Sequence, residues 1–255
     1  MKNFLKAFLC FIVFLPVPAI SYATEESSVK VIVLELLKEA NGFAAEGNTD
    51  DALGFVYAAR DMARAKGWAD VSQLADSLSH AYRPIGMMNT GIEAGSTGNM
   101  VVANELVGIS CKMLRAVKDE GVLGLAASVK GVCDSVTLDK VADPEHARRE
   151  TLAVAITLIG NSITLAREGR PFSAVGYVLA AEDIASHYGE GALVQRIKDL
   201  AFAHRTKSVG TVASFLDSTG NIAALEYRRL TCTMASKVVE EYKKLLDPRM
   251  CGTSV

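Results

Sequence analysis

From Ser27 onward, apolar positions recur every three or four residues and are interrupted by glycine and short polar runs. Val29, Ile32, Val33, Leu36, Leu37, Ala40, Phe43 and Ala44 form one such stripe. A cap at Ser27 or Ser28 precedes it and Gly47 ends it, which predicts a first helix. Asn48-Thr49-Asp50-Asp51 then supplies a cap oxygen and carboxylates suited to the positive end of a helix dipole. The second helix carries Leu53, Val56, Tyr57, Ala59 and Ala63 and stops at Gly67; Gly54, Ala58 and Ala59 are small enough to let another helix come close. A third helix is expected over 70–83, ending before Pro84, with a short helix between turns over 87–98. Further helices are expected at about 99–118 and 123–133, with 134–142 as a connector. Asp143-Pro144-Glu145 is a helix start, with Asp as cap and Pro in the first turn. A last helix is expected over 237–246, before Asp247-Pro248.

The pattern is stated twice. Residues 47–67 and 169–189 are 122 apart and share nine of 21 positions, among them Gly47/Gly169, Gly54/Gly176, Ala59/Ala181, Asp61/Asp183 and Gly67/Gly189. The same offset pairs Leu36 with Leu158, Leu78 with Leu200, Arg83 with Arg205, and Ser96-Thr97-Gly98-Asn99 with Ser218-Thr219-Gly220-Asn221. An all-α chain of two tandem homologous modules follows as the expectation, with boundaries at 24–142 and 143–255.

Ala40, Phe43, Gly47, Ala52, Val56 and Ala59, and in the second copy Ser162, Leu165, Gly169, Ala174, Val178 and Ala181, stand at spacings that resemble the tetratricopeptide repeat family. The Trp-Leu-Gly opening and the final Pro of that family are missing, and the likeness covers about 30 residues per copy. What it implies is a stack of helical hairpins with a concave binding surface.

Residues 1–23 change the picture of where the chain works. Lys2 and Lys6, the apolar run 8–15, Pro16 and Pro18, and Ser21-Tyr22-Ala23 before Thr24 match an export signal cleaved after Ala23. The run is shorter than the roughly 20 residues that span a bilayer, so a periplasmic or secreted protein without stable membrane insertion is expected. The mature chain would carry 25 basic and 29 acidic residues, a formal −4, which argues against nucleic acid as partner. Four cysteines would remain, Cys111, Cys133, Cys232 and Cys251, an even number that suggests two disulfides in an oxidising compartment. Cys133 returns opposite Cys111 if the chain turns near 121–124. A helix unbroken from Cys232 to Leu246 would rise about 21 Å, and the remaining residues reach back only about 17 Å. Either that helix breaks early or Cys232 pairs elsewhere.

Candidate chemistry is sparse. His80, His146, His187 and His204 lack ligand spacing to one another or to cysteine, and no CxxC or HxxxH occurs, so no metal and no cofactor is expected. In the repeat register His80 stands at the place of Phe202 and His204 at that of Tyr82, which reads as packing. Asp61 and Asp183 suit buried carboxylates that hold a neighbouring helix, through Arg83 or Arg205; a catalytic acid is the rival role. Ser96, Thr97 and Asn99, with Ser218, Thr219 and Asn221, suit turns with helix caps, or else a site for a polar or anionic ligand at an exposed helix start. No GxSxG elbow is present. The leading expectation is an exported binding or scaffold protein that holds an envelope protein or peptide. The alternative is a carrier with an apolar cleft between the modules, lined by Met87, Met88, Met100 and Phe215; an enzyme is not expected.

Overall fold

Local chemistry sets the helix boundaries. The computed structural model describes residues 25–135 and 143–251, and the expected signal segment and most of the connector lie outside them. Among the described residues the chain is all-α, without a strand. The helices are α1 (Glu25–Ala45), α2 (Thr49–Ala65), α3 (Ala69–Ser96), α4 (Met100–Ala116), α5 (Glu120–Leu125), α6 (Ala127–Ser135), α7 (Pro144–Arg167), α8 (Pro171–His187), α9 (Gly191–Ser218), α10 (Ala224–Ala235) and α11 (Glu240–Lys243), followed by a 3-10 turn over Pro248–Cys251. Asn48 caps α2 through Asp51 N, Asn99 caps α4 through Val102 N, and Asp143 caps α7 through His146 N. The turns use glycine at positive φ, at Gly47, Gly67 and Gly98 and again 122 residues later at Gly169, Gly189 and Gly220. Helices α2 and α8 are both 17 residues long and α3 and α9 both 28, with starts and ends offset by the same 122.

Three boundaries differ from expectation. The single helix expected over about 123–133 is two, α5 and α6, separated at Ala126. Pro84 does not end α3, which runs on to Ser96. Proline costs the helix one hydrogen bond, but the second half of α3 is held by α4: Gly91 lies against Leu106 and Ala103, and Ser110 Oγ donates to the Pro84 carbonyl at 2.7 Å. The final helix shrinks to Glu240–Lys243, because α10 stops at Ala235 and the chain turns through 236–239.

Consecutive helices pack as hairpins, α1 to α4 in the first half and α7 to α10 in the second, and α2 packs on α8 to join them. The largest apolar core draws on both halves, with Val56, Ala59 and Met62 packed in the same cluster as Val175, Leu179, Leu216 and Tyr227. At the centre, Cα of Gly54 faces the Phe172 backbone and Cα of Gly176 faces the Asp50 backbone; a Cβ at either would fall under 3.0 Å from main-chain atoms. Phe172 stacks on Phe55 with centroids 4.1 Å apart. The halves therefore share an interior, and α2 and α8 fill the space between them. Cys111 and Cys133 form a disulfide that ties α4 to α6.

Candidate functional site

Asp61 and Asp183 sit at matching points on α2 and α8, and each reaches across to the other half. Arg83 on α3 grips Asp183 with two donors, Nε at 2.9 Å and Nη2 at 2.5 Å. Arg205 on α9 grips Asp61 the same way, through Nε at 2.9 Å and through Nη2. The two clamps are reciprocal: each half lends its aspartate to the other half's arginine. Burial opposes charge on both arginines, but the facing aspartate outweighs it and holds each guanidinium above its ordinary range. Burial pushes the Asp183 carboxyl up while Arg83 pulls it back; the two-pronged hydrogen bond is of the charge-assisted kind that favours the ionised form. Both aspartates are thus occupied as structural anchors, as the register match with Arg83 and Arg205 suggested.

Tyr57 lies between the clamps. Arg83 Nη1 donates to its hydroxyl at 3.4 Å, and Arg205 stands 5.3 Å from its ring centroid. A third guanidinium, that of Arg60, stacks on the same ring at 3.7 Å. Arg60 shares Asp76 with Arg64, through Nη1 at 3.3 Å, while its buried Nε has no hydrogen-bond partner among the described residues. Burial first, then the charge of Arg205, pulls the Arg60 guanidinium below its ordinary value. Asp61 acts in the opposite direction, and Arg60 Nε stands 3.9 Å from its Oδ1.

A cavity of about 510 Å³ opens on this cluster. Tyr57 and Arg60 from α2, Arg83 from α3, Leu179 and Glu182 from α8, and Lys198, Asp199, Ala201, Phe202 and Arg205 from α9 line it, and Lys237 and Val239 close one side. Its walls carry five cationic and two acidic side chains, with Leu179, Phe202 and Val239 as an apolar stretch. Lys198 and Lys237 are exposed at the rim, and neither has an ion pair among the described residues. The volume lies within the range of small-ligand sites.

Some pairs of positions 122 residues apart keep their residues around the cavity, and others do not. Positions 61/183 and 83/205 keep their residues, and these make the clamps. Positions 60/182 and 76/198 reverse sign, from Arg60 to Glu182 and from Asp76 to Lys198. Arg60 and Lys198, both at reversed positions, face the cavity together with Glu182. Comparing signs at register positions is the sequence signal that could have found them; Lys237 has no such signal.

The other candidates do not join this site. Ser96 Oγ and Thr97 Oγ1 donate to carbonyls at the end of α3, and Ser218 Oγ and Thr219 Oγ1 do the same at the end of α9. Asn99 Oδ1 and Asn221 Oδ1 accept from Val102 N and Ala223 N. These groups are spent on turns and caps, the threonines on carbonyls rather than on amides. Met87 and Met88 are buried in two different clusters, Met100 is exposed, and Phe215 packs at the edge of a third, so the four do not line one cleft. His204 is fully buried beside Ser162 Oγ at 3.1 Å, and burial first, then Lys207, lowers it to about 3. His80, His146 and His187 are exposed. Cys232 and Cys251, expected to join a second disulfide, are free thiols, both partly exposed. No described helix is long and apolar enough to cross a membrane, and no three His, Cys, Asp or Glu side chains among the described residues are placed to hold a metal ion. The chain matches no family model, no curated protein and no solved structure.

Proposed function

We propose that this protein is an exported helical binding module that holds an envelope protein or peptide by an acidic group, a side-chain or terminal carboxylate, in the Tyr57 cavity. The observation that supports this best is the convergence of Arg60, Arg83 and Arg205 on one tyrosine, with no hydrogen bond to the buried Arg60 Nε, which stands 3.9 Å from Asp61 Oδ1. The Arg60 guanidinium lines the cavity and has Asp76 and Asp61 as its carboxylates; a ligand carboxylate on its cavity side would add a charge-assisted acceptor. Lys198 and Lys237 at the rim would draw the acidic group in, and Leu179, Phe202 and Val239 would take an apolar neighbour of it. The two halves serve as the frame: the reciprocal clamps fix the arginines, and the α2–α8 contact fixes Tyr57 between them.

The test is calorimetric titration of the mature chain with short peptides that carry Asp or Glu next to an apolar residue, against the same peptides with Asn or Gln and an amidated end. Binding of the acidic set alone is expected, weakening as salt is raised. Lys198→Ala with Lys237→Ala, both exposed, should weaken it without changing the fold. Equal affinity for acidic and neutral peptides, or none for either, contradicts the proposal.

A further inference from the structure

The chain between Cys232 and Cys251 forms one wall of the cavity and is held at both ends. Helix α10 stops at Ala235, three residues after Cys232, and the following turn presents Lys237 and Val239 to the cavity. Val238, Tyr242 and Leu245 anchor the segment in the core beside Ile197 and Leu200. The chain then returns: the 3-10 turn over Pro248–Cys251 packs back on α10, and Met250 Sδ covers Gly210 of α9 closely enough that a Cβ there would lie 2.8 Å from it. This early break removes the reach problem of an unbroken 232–246 helix and lays the turn that carries Cys251 against α10, which carries Cys232; both thiols are partly exposed to solvent.

We propose that Cys232 and Cys251 form a second disulfide that clasps residues 232–251 and fixes the Lys237–Val239 wall of the cavity. Its effect on ligand rests on the cavity being the binding site; formation of the bond does not. The oxidant is a small or protein-borne disulfide, such as oxidised glutathione. Burial, and after it the neighbouring Cys251, push the Cys232 thiol up to about 11, so the first attack falls to Cys251. Its thiolate sulfur bonds to one sulfur of the reagent, whose S–S bond breaks and releases one thiolate. Cys232 then loses its proton and displaces the second reagent thiolate, forming the Cys232–Cys251 bond. Two protein thiols are oxidised and one reagent disulfide is reduced to two thiols; the two protons lost by the protein go to those thiols. The loop closed is 19 residues in sequence separation, close to the 22 of Cys111–Cys133.

The experiment oxidises the full mature chain with oxidised glutathione, alkylates it under denaturing conditions and measures intact mass and peptide masses. The expected product lacks two further hydrogens, resists alkylation at both positions and yields a linked Cys232/Cys251 peptide. Hydrogen exchange should slow over residues 236–243 relative to the Cys232→Ser, Cys251→Ser protein. Alkylation of both thiols after oxidation, stable glutathione adducts in place of the linked peptide, or unchanged exchange over that segment would each overturn the proposal. For an acidic peptide, affinity should rise about three- to tenfold on oxidation, the effect of ordering one long side chain in advance. Equal affinity in the two forms overturns the clasp's hold on the cavity. Absence of peptide binding in both forms, with the exchange effect present, counts against the binding site and leaves the clasp standing.

Discussion

Replacing Gly54 by alanine adds one methyl group at the closest approach of α2 and α8. Within the helix alone the change is favourable, by about 1 kcal/mol, because alanine loses less backbone entropy. Against that, the new Cβ would lie under 3.0 Å from the Phe172 Cα, carbonyl carbon and carbonyl oxygen. Those are main-chain atoms in the first turn of α8, so no rotamer change relieves the overlap. Ordinary contact begins at 3.4 Å and the nearest of these atoms lies at 2.4 Å, so relieving the overlap fully means parting the helices by about 1 Å. A gap of about 0.5–1 Å forfeits about a quarter to a half of the dispersion well at each affected contact, and α2 meets α8 along its buried face. Overpacking costs about 1–3 kcal/mol, and a backbone obstacle places this case at or above the upper end. The net expectation is a loss of about 2 kcal/mol, or roughly 4–8 °C in Tm for a chain of this size. Gly176→Ala, which would meet the Asp50 backbone, should behave alike, and the double variant should lose less than the two losses added, since both part the same interface. Gly42→Ala and Gly160→Ala are the controls: both glycines are helical and exposed, with nothing within 4 Å of an added Cβ, and both variants should gain up to about 1 kcal/mol. Thermal and urea unfolding followed by circular dichroism at 222 nm reads all five. If Gly54→Ala and Gly176→Ala are as stable as the controls, the shared interior described above is wrong.

The reciprocal clamps predict paired losses. Asp61→Ala leaves Arg205 without its carboxylate in the interior and should cost about 3–5 kcal/mol, as should Asp183→Ala for Arg83, whereas Asp61→Leu with Arg205→Leu should recover much of it in urea unfolding. Stability should fall with acid through His204. Its folded value, about 3, lies below the ordinary 6.5, so the unfolded chain takes up the proton first; stability is complete above pH 6.5 and declines towards pH 3. His204→Gln should flatten that branch, and an unchanged slope would refute the assignment. Asp50 acts in the opposite sense: burial, then Asp51 and Glu93, raise its carboxyl to about 7, so its folded form favours the proton and stability is lost as pH rises from about 4 to 7. Asp50→Asn should therefore raise Tm at pH 8 and leave it unchanged at pH 4.

The parts legible in the sequence were those set by local chemistry or by the repeat. Asn48, Asn99 and Asp143 cap helices because a short polar side chain ahead of an apolar stripe has few other uses. Gly54 and Gly176 mark close approach, and Asp61 with Arg205 and Asp183 with Arg83 are residue pairs that recur at the same 122-residue offset. What the residues did not show is which surfaces of the two halves meet. The resemblance implied a hairpin stack with a concave binding surface, and it gave no sign that α2 and α8 pack on each other. Pro84 was a misleading stop because its cost is one hydrogen bond, while the gain comes from α4, distant in sequence. The cavity was hidden for the same reason: Arg60, Lys198 and Lys237 look like solvated charges until the fold brings them around Tyr57.

The most direct measurement follows the Arg60 side chain by NMR. In ¹⁵N-labelled protein, the Nε–H resonance of Arg60, assigned from Arg60→Lys, is monitored while an acidic peptide is added. A carboxylate seated in the cavity should shift that resonance downfield in proportion to occupancy, and the neutral Gln analogue should leave it in place. An Arg60 resonance that stays still while an acidic peptide binds elsewhere on the chain would contradict the account.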